Sequence, residues 1–159
     1  NDKKTATLFG DGATVTLLTE DPVFDFGKFV FGSDGSKKEG IIVREDGHVH
    51  MNGRAVFTFT VRVIPNSIRK MLEKNVITLE NIDRFLLHQG SLHIVNTIAD
   101  TLGVSREKCP FYSADYGNTV SSSVPMILAQ EFNNQEMKVA VLAGFGVGLS
   151  WASTLIFRK

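Results

Sequence analysis

The stretch KVAVLAGFGVGLSWASTLIFRK, residues 138–159, decides the fold. Between Lys138 and Arg158 it carries no formal charge, which makes a membrane span the first reading to test. Gly144 and Gly148 even have the spacing of a membrane-helix contact. But Gly144, Gly146 and Gly148 fall on every second residue, and each would weaken a helix by about 1 kcal/mol relative to alanine. Two apolar runs with a glycine-rich break between them predict two buried strands, a terminal β-hairpin rather than a membrane helix.

Upstream of that hairpin, strand and helix patterns alternate. Ser91 is placed to cap a helix carrying Ile94, Ile98 and Leu102, which Gly103 closes. Arg84–Leu87 is a short apolar strand ending at His88, and Thr78–Asp83 carries a cap-like threonine and acids that suit a helical turn. Residues 53–74 read as a helix with a kink expected near Pro65. A strand is expected over 110–113, and a helix from the loop at Asn118 to about Phe132. Residues 20–50 are mixed, with short alternating pieces such as Ile41–Val43. TATLFGDGATVTLL, residues 5–18, predicts strand, Gly-Asp-Gly turn, strand. It echoes FGVGLSWASTLIF at the other end, as a duplicated fold would. Alternating elements closed by a hairpin indicate an α/β layered domain with a mixed sheet.

Seventeen basic and seventeen acidic residues cancel, and the basic ones are scattered, so nothing recruits nucleic acid or an anionic membrane. The single Cys109 excludes an internal disulfide framework and fits a reducing, cytoplasmic compartment. It precedes Pro110 in a segment expected to be extended, and an activated thiolate wants a helix N-terminus or a cationic neighbour, so Cys109 reads as structural. His48 and His50 would share a strand face, but only Glu45 and Asp46 stand near them, and no metal site is assigned.

Three segments put a polar or glycine feature at a strand end, where α/β folds build sites. They are FLLHQGS with His88, YSADYGNTVSSSVP with Asn118, and GFGVGLSW with Val147 in its turn. A neutral imidazole and a carboxamide can both donate hydrogen bonds, and two donors converging on one oxygen would stabilise an enolate or oxyanion. Taken singly, His88 is equally a satisfied core histidine, Gly117-Asn118 a turn, and the glycines hairpin geometry.

Together these segments resemble the C-terminal half of the ketoacyl-ACP synthase III family. FGDGA, MNGRAVFTFTVRVIP, LLHQGS, GNTVSSSVP and GFGVGLSWAS follow the family's order and spacing along nearly the whole chain. The resemblance implies half of a thiolase-like duplicated fold. Residues 1–20 would be the last hairpin of an N-terminal half and 21–159 the C-terminal domain. It implies a Cys–His–Asn site in which His88 and Asn118 match the histidine and asparagine, and Val147 offers an oxyanion-binding backbone N–H. A pantetheine tunnel would be lined by Met51, Gly53, Arg54, Phe57, Gly90, Ser91 and Phe145, of which the three apolar residues fit ordinary core packing as well. The implied substrates are acyl-CoA and malonyl-acyl carrier protein, with no cofactor, in a homodimer at full length. The nucleophilic cysteine would lie in a half outside this chain, which by itself would be inactive. Thr58 and His93 stand where familiar members carry a lysine and an arginine that engage the carrier protein. A non-catalytic partner subunit, or an acyltransferase to an amine or hydroxyl, are the alternatives.

Overall fold

The computed structural model describes residues 5 and 7–159. Its centre is a mixed sheet. Strands β1 (Phe24–Phe26) and β2 (Val30–Ser33) lie in succession along one edge of β7 (Ser150–Arg158). β7 pairs antiparallel with β6 (Val139–Gly146), and β6 pairs parallel with β5 (Arg84–Leu87). A separate two-stranded ladder joins β3 (Ile41–Val43) to β4 (Val49–Met51). The stretch 138–159 is thus a hairpin, as its alternating glycines predict. Among the described residues no helix is long and apolar enough to cross a membrane.

Helices cover both faces of the sheet. Helices α1 (Gly53–Asn75) and α2 (Leu92–Leu102) pack on one face, where Ile64, Ile68, Met71 and Ile98 meet Phe85, Leu87, Val141 and Leu155. Helix α3 (Ser123–Glu131) covers the other, where Ile127 meets Leu86, Ala140 and Ile156. Neighbours along each strand therefore go to opposite cores, as the period-2 pleat requires, and strands buried on both faces read as unbroken apolar runs.

Local signals explain the boundaries. Asn52 caps α1 by accepting from Ala55 N, and Ser91 caps α2 by accepting from Ile94 N. Gly103 ends α2 with φ +79°, a left-handed conformation that glycine adopts without strain. Thr78 and Asn81 form a reciprocal capping box around the single turn Leu79–Asn81. α1 runs unbroken through Pro65, which is buried; packing of this face outweighs the lost backbone bond.

Two expectations fail. Residues 110–113 form no strand: the backbone instead docks on the buried side chain of Gln89, whose amide donates to Leu87 and Pro110 carbonyls and accepts from Tyr112 N. One side chain does the work of a ladder there. The hairpin expected over residues 5–18 falls partly outside the described residues, at residue 6. From residue 7 onward it makes no ladder beyond an isolated parallel bridge, Phe9 to Asn118. A lone hairpin is marginal in water, and the β-branched arm from Ala13 to Leu18 has no strand beside it here.

Candidate active site

Because β5 and β6 run parallel, their C-terminal ends open at the same edge of the sheet. His88 follows β5 there, its N–H donating to Ala143 O, opposite the start of the glycine-rich turn. The chain after α2 returns through 112–119 to the same edge and presents Asn118.

Asn118 is held by the N-terminal segment: its N–H donates to Leu8 O at 2.9 Å, and its carbonyl accepts from Gly10 N at 3.0 Å. The approach needs glycine, since a Cβ on Gly10 would sit 1.6 Å from the Tyr116 carbonyl oxygen. Asn118 is buried, and its Oδ1 accepts from Val120 N at 2.9 Å. A backbone N–H can be met only by the oxygen of a carboxamide, so the NH2 is the part left for a ligand. Val120 pays for this turn with φ +54°, a strained value for a β-branched residue.

His88 Nδ1 shares a 2.6 Å hydrogen bond with the fully buried hydroxyl of Ser123, the first residue of α3. The Phe145 ring stands edge-on to the imidazole at 5.2 Å. Burial lowers the His88 pKa to about 4, with a backbone group of Val120 pulling the other way. The ring is neutral at pH 7, and with Nδ1 engaged, Nε2 is the nitrogen left for a ligand.

These residues line one cavity of about 670 Å³. His88, Asn118 and Val147 lie on it, and so do the seven expected tunnel residues Met51, Gly53, Arg54, Phe57, Gly90, Ser91 and Phe145. Val147 occupies the β6–β7 turn, between Gly146 and Gly148. His93 also lines the cavity and stacks on Phe57 at 4.9 Å with the rings parallel. Sequence reasoning did not single out Ser123, though a serine run ahead of Val124-Pro125 marks a helix start. It also missed Leu8 and Phe9, which approach the site only through the Phe9–Asn118 bridge.

Other candidates lie away from the cavity. Cys109 packs in the core against the α1–α2 face, and burial pushes its thiol up to about 12, the reverse of an activated thiolate. Lys108 beside it donates to Ile82 O. His50 Nε2 pairs with Asp46 Oδ2 at 2.9 Å. Among the described residues no group of three metal-ligating side chains assembles.

A three-layer half-fold with His88 at the end of β5 and Asn118 in the loop beside it defines the class: thiolase-like α/β proteins. Solved structures agree. The chain is similar to 3-oxoacyl-[acyl-carrier-protein] synthase III from Aquifex aeolicus, with a TM-score of 0.89, 30% identity, and coverage of 99% of this chain and 52% of that one. It is also similar to β-ketoacyl-[acyl carrier protein] synthase III from Thermus thermophilus, with a TM-score of 0.86, 32% identity, and coverage of 100% and 54%. In sequence it is 38% identical over 163 residues to β-ketoacyl-[acyl-carrier-protein] synthase III of Staphylococcus epidermidis, covering 98% of this chain. Residues 72–157 match the family described as 3-oxoacyl-[acyl-carrier-protein (ACP)] synthase III C terminal, and the chain belongs to that family. It spans about half the length of the curated relatives it matches, 51% of the Staphylococcus epidermidis protein.

Proposed function

We propose that this chain supplies the histidine–asparagine side of a β-ketoacyl-[acyl-carrier-protein] synthase III site, completed by an N-terminal half that carries the nucleophilic cysteine. The observation that carries this reading is the convergence of half-buried, neutral His88 and the free NH2 of Asn118 on one largely apolar cavity. Residues 1–20 would pack against that half and 21–159 form the C-terminal domain.

In the first step the cysteine thiolate attacks the acyl-CoA carbonyl, CoA leaves as thiolate, and the acyl group rests on the enzyme. The carrier-bound malonyl thioester then loses CO2, and the electron pair of the broken C–C bond moves into the thioester as an enolate. His88 and Asn118 donate to that oxygen, and a donor that must stay a donor is better neutral and desolvated. The enolate carbon attacks the acyl-cysteine, the oxyanion passes the Val147 N–H, and the cysteine thiolate departs. For His88 to donate from Nε2, Nδ1 must accept the Ser123 hydroxyl proton. No cofactor takes part.

The carrier would approach over Lys37, Arg54 and Arg62, which share a groove beside the cavity through Arg54. Arg54 and Arg62 lie two turns apart on α1 around Thr58, and neither guanidinium has a partner among the described residues. Their unneutralised charge suits an acidic partner.

The test pairs the full-length enzyme with malonyl-carrier protein and follows CO2 release and acyl loading separately. His88→Ala and Asn118→Ala should each lower decarboxylation about 100-fold or more while acyl loading persists. Lys37→Glu with Arg62→Glu should raise KM for the carrier substrate and leave acyl-CoA loading alone. Decarboxylation unchanged in the His88 and Asn118 variants would overturn the reading.

A further inference from the structure

Besides the free groups of His88, Asn118 and Arg54, the cavity wall holds a buried hydroxyl with nothing to bind among the described residues. Thr60, on α1, lines the cavity, is 1% exposed, and its Oγ1 has no hydrogen-bond partner among the described residues. Two other buried side-chain oxygens are unpaired, on Ser113 and Tyr116, and neither residue lines the cavity.

A helical threonine normally satisfies its hydroxyl on the carbonyl four residues back. Thr58 does so on Arg54, Thr97 on His93 and Thr101 on Thr97. Thr60 does not bond Val56 in this way. The wall one turn before it on the same helix face is Val56 and Phe57, which offer no side-chain hydrogen-bonding group. Buried polar atoms without a partner are rare, and each implies something that completes it.

We propose that Thr60 is a substrate-binding residue whose hydroxyl hydrogen-bonds an amide of the pantetheine arm. The inference rests on the function proposed above and adds a contact that the family resemblance does not assign. The arm carries amides that would be desolvated along this apolar wall and, like Thr60, would need a partner there. A hydroxyl can donate to an amide carbonyl or accept from an amide N–H, so either end of the group can be met. Threonine on a helix has two accessible χ1 rotamers, so the hydroxyl can turn from the wall toward a bound ligand without moving α1.

The test measures coenzyme A binding by calorimetry on the full-length enzyme, together with the thermal midpoint with and without ligand. Thr60→Val keeps the shape and removes the hydroxyl. It should weaken coenzyme A binding about five- to tenfold, leave the unliganded midpoint unchanged or higher, and shrink the ligand-induced shift. Thr60→Ser should retain wild-type affinity. Equal affinity in wild type and Thr60→Val would overturn the inference while leaving the proposed function standing, as would a lowered unliganded midpoint with affinity intact. Failure of the wild-type full-length enzyme to bind coenzyme A would overturn both.

Discussion

At the scale of single residues, the chemistry of the site follows from how far His88 is withdrawn from water. Desolvation, the larger effect, lowers its pKa from 6.5 to about 4, so the unfolded chain binds a proton between those values that the folded chain refuses. Stability therefore rises with pH through that window: it is complete above about 6.5 and is lost as pH falls toward 4. A shift of this size corresponds to about 3 kcal/mol. Chemical denaturation at pH 7 and pH 4 should show a drop of that order, and His88→Gln should remove most of it. Nearly equal slopes in wild type and variant would mean the imidazole is not held neutral. Ser123 acts on the same ring: its hydroxyl at Nδ1 leaves Nε2 toward the cavity.

At the scale of elements, a polar network ties β5, the 112–119 loop and the end of α3 together. Buried Glu131 accepts from Tyr112 OH at 2.6 Å, from Asn134 Nδ2 at 2.8 Å and from Arg84 Nε at 3.3 Å. Burial pushes its carboxyl up, but these bonds outweigh burial and leave it below the usual value, while the Glu131 bond pushes Tyr112 up to about 12. A depressed carboxylate stabilises above its unfolded pKa and loses that contribution as pH falls through the folded value. Glu131→Gln should therefore cost about 1–2 kcal/mol at pH 7, and the cost should shrink as pH falls below 4.5, read by urea unfolding. A cost that persists at pH 3 would assign the effect to packing instead of charge. This network was not legible in the sequence, since its bonded partners lie up to 47 residues apart. What was legible had local causes: the glycine alternation of 144–148, the Ser91 and Thr78 caps, and the apolar run before His88. The strand expected at 110–113 failed because the competing partner, Gln89, comes from a distant turn. Ser123 and Thr60 were missed for a related reason. A serine in a serine run or a threonine in a helix carries no mark of which hydroxyl faces a ring or a cavity.

At the scale of the whole molecule, the described surface is unusually apolar along its N-terminal stretch. Val15 is 98% exposed, Leu17 83% and Leu18 75%, and Phe31 on the edge strand β2 is 73% exposed. Val147 and Val120, at the cavity, add to it. Soluble monomers seldom leave such side chains uncovered, and a β-rich segment without a neighbour invites pairing with another chain. On the proposed reading an N-terminal half would cover this surface, and the chain spans 51% of its Staphylococcus epidermidis relative, which leaves room for one. The 159-residue chain by itself should consequently associate at micromolar concentration. Adding the complementary half as a separate polypeptide should replace that self-association with a one-to-one complex. Sedimentation velocity reads both outcomes. Leu17→Ser with Phe31→Ser should reduce self-association, because each removes a large exposed apolar side chain without touching the core clusters. A sharp monomer peak for the unmodified chain across the micromolar range, unchanged when the other half is added, would mean that residues 7–20 are covered by their own chain, and the seam would have to be sought elsewhere on the molecule.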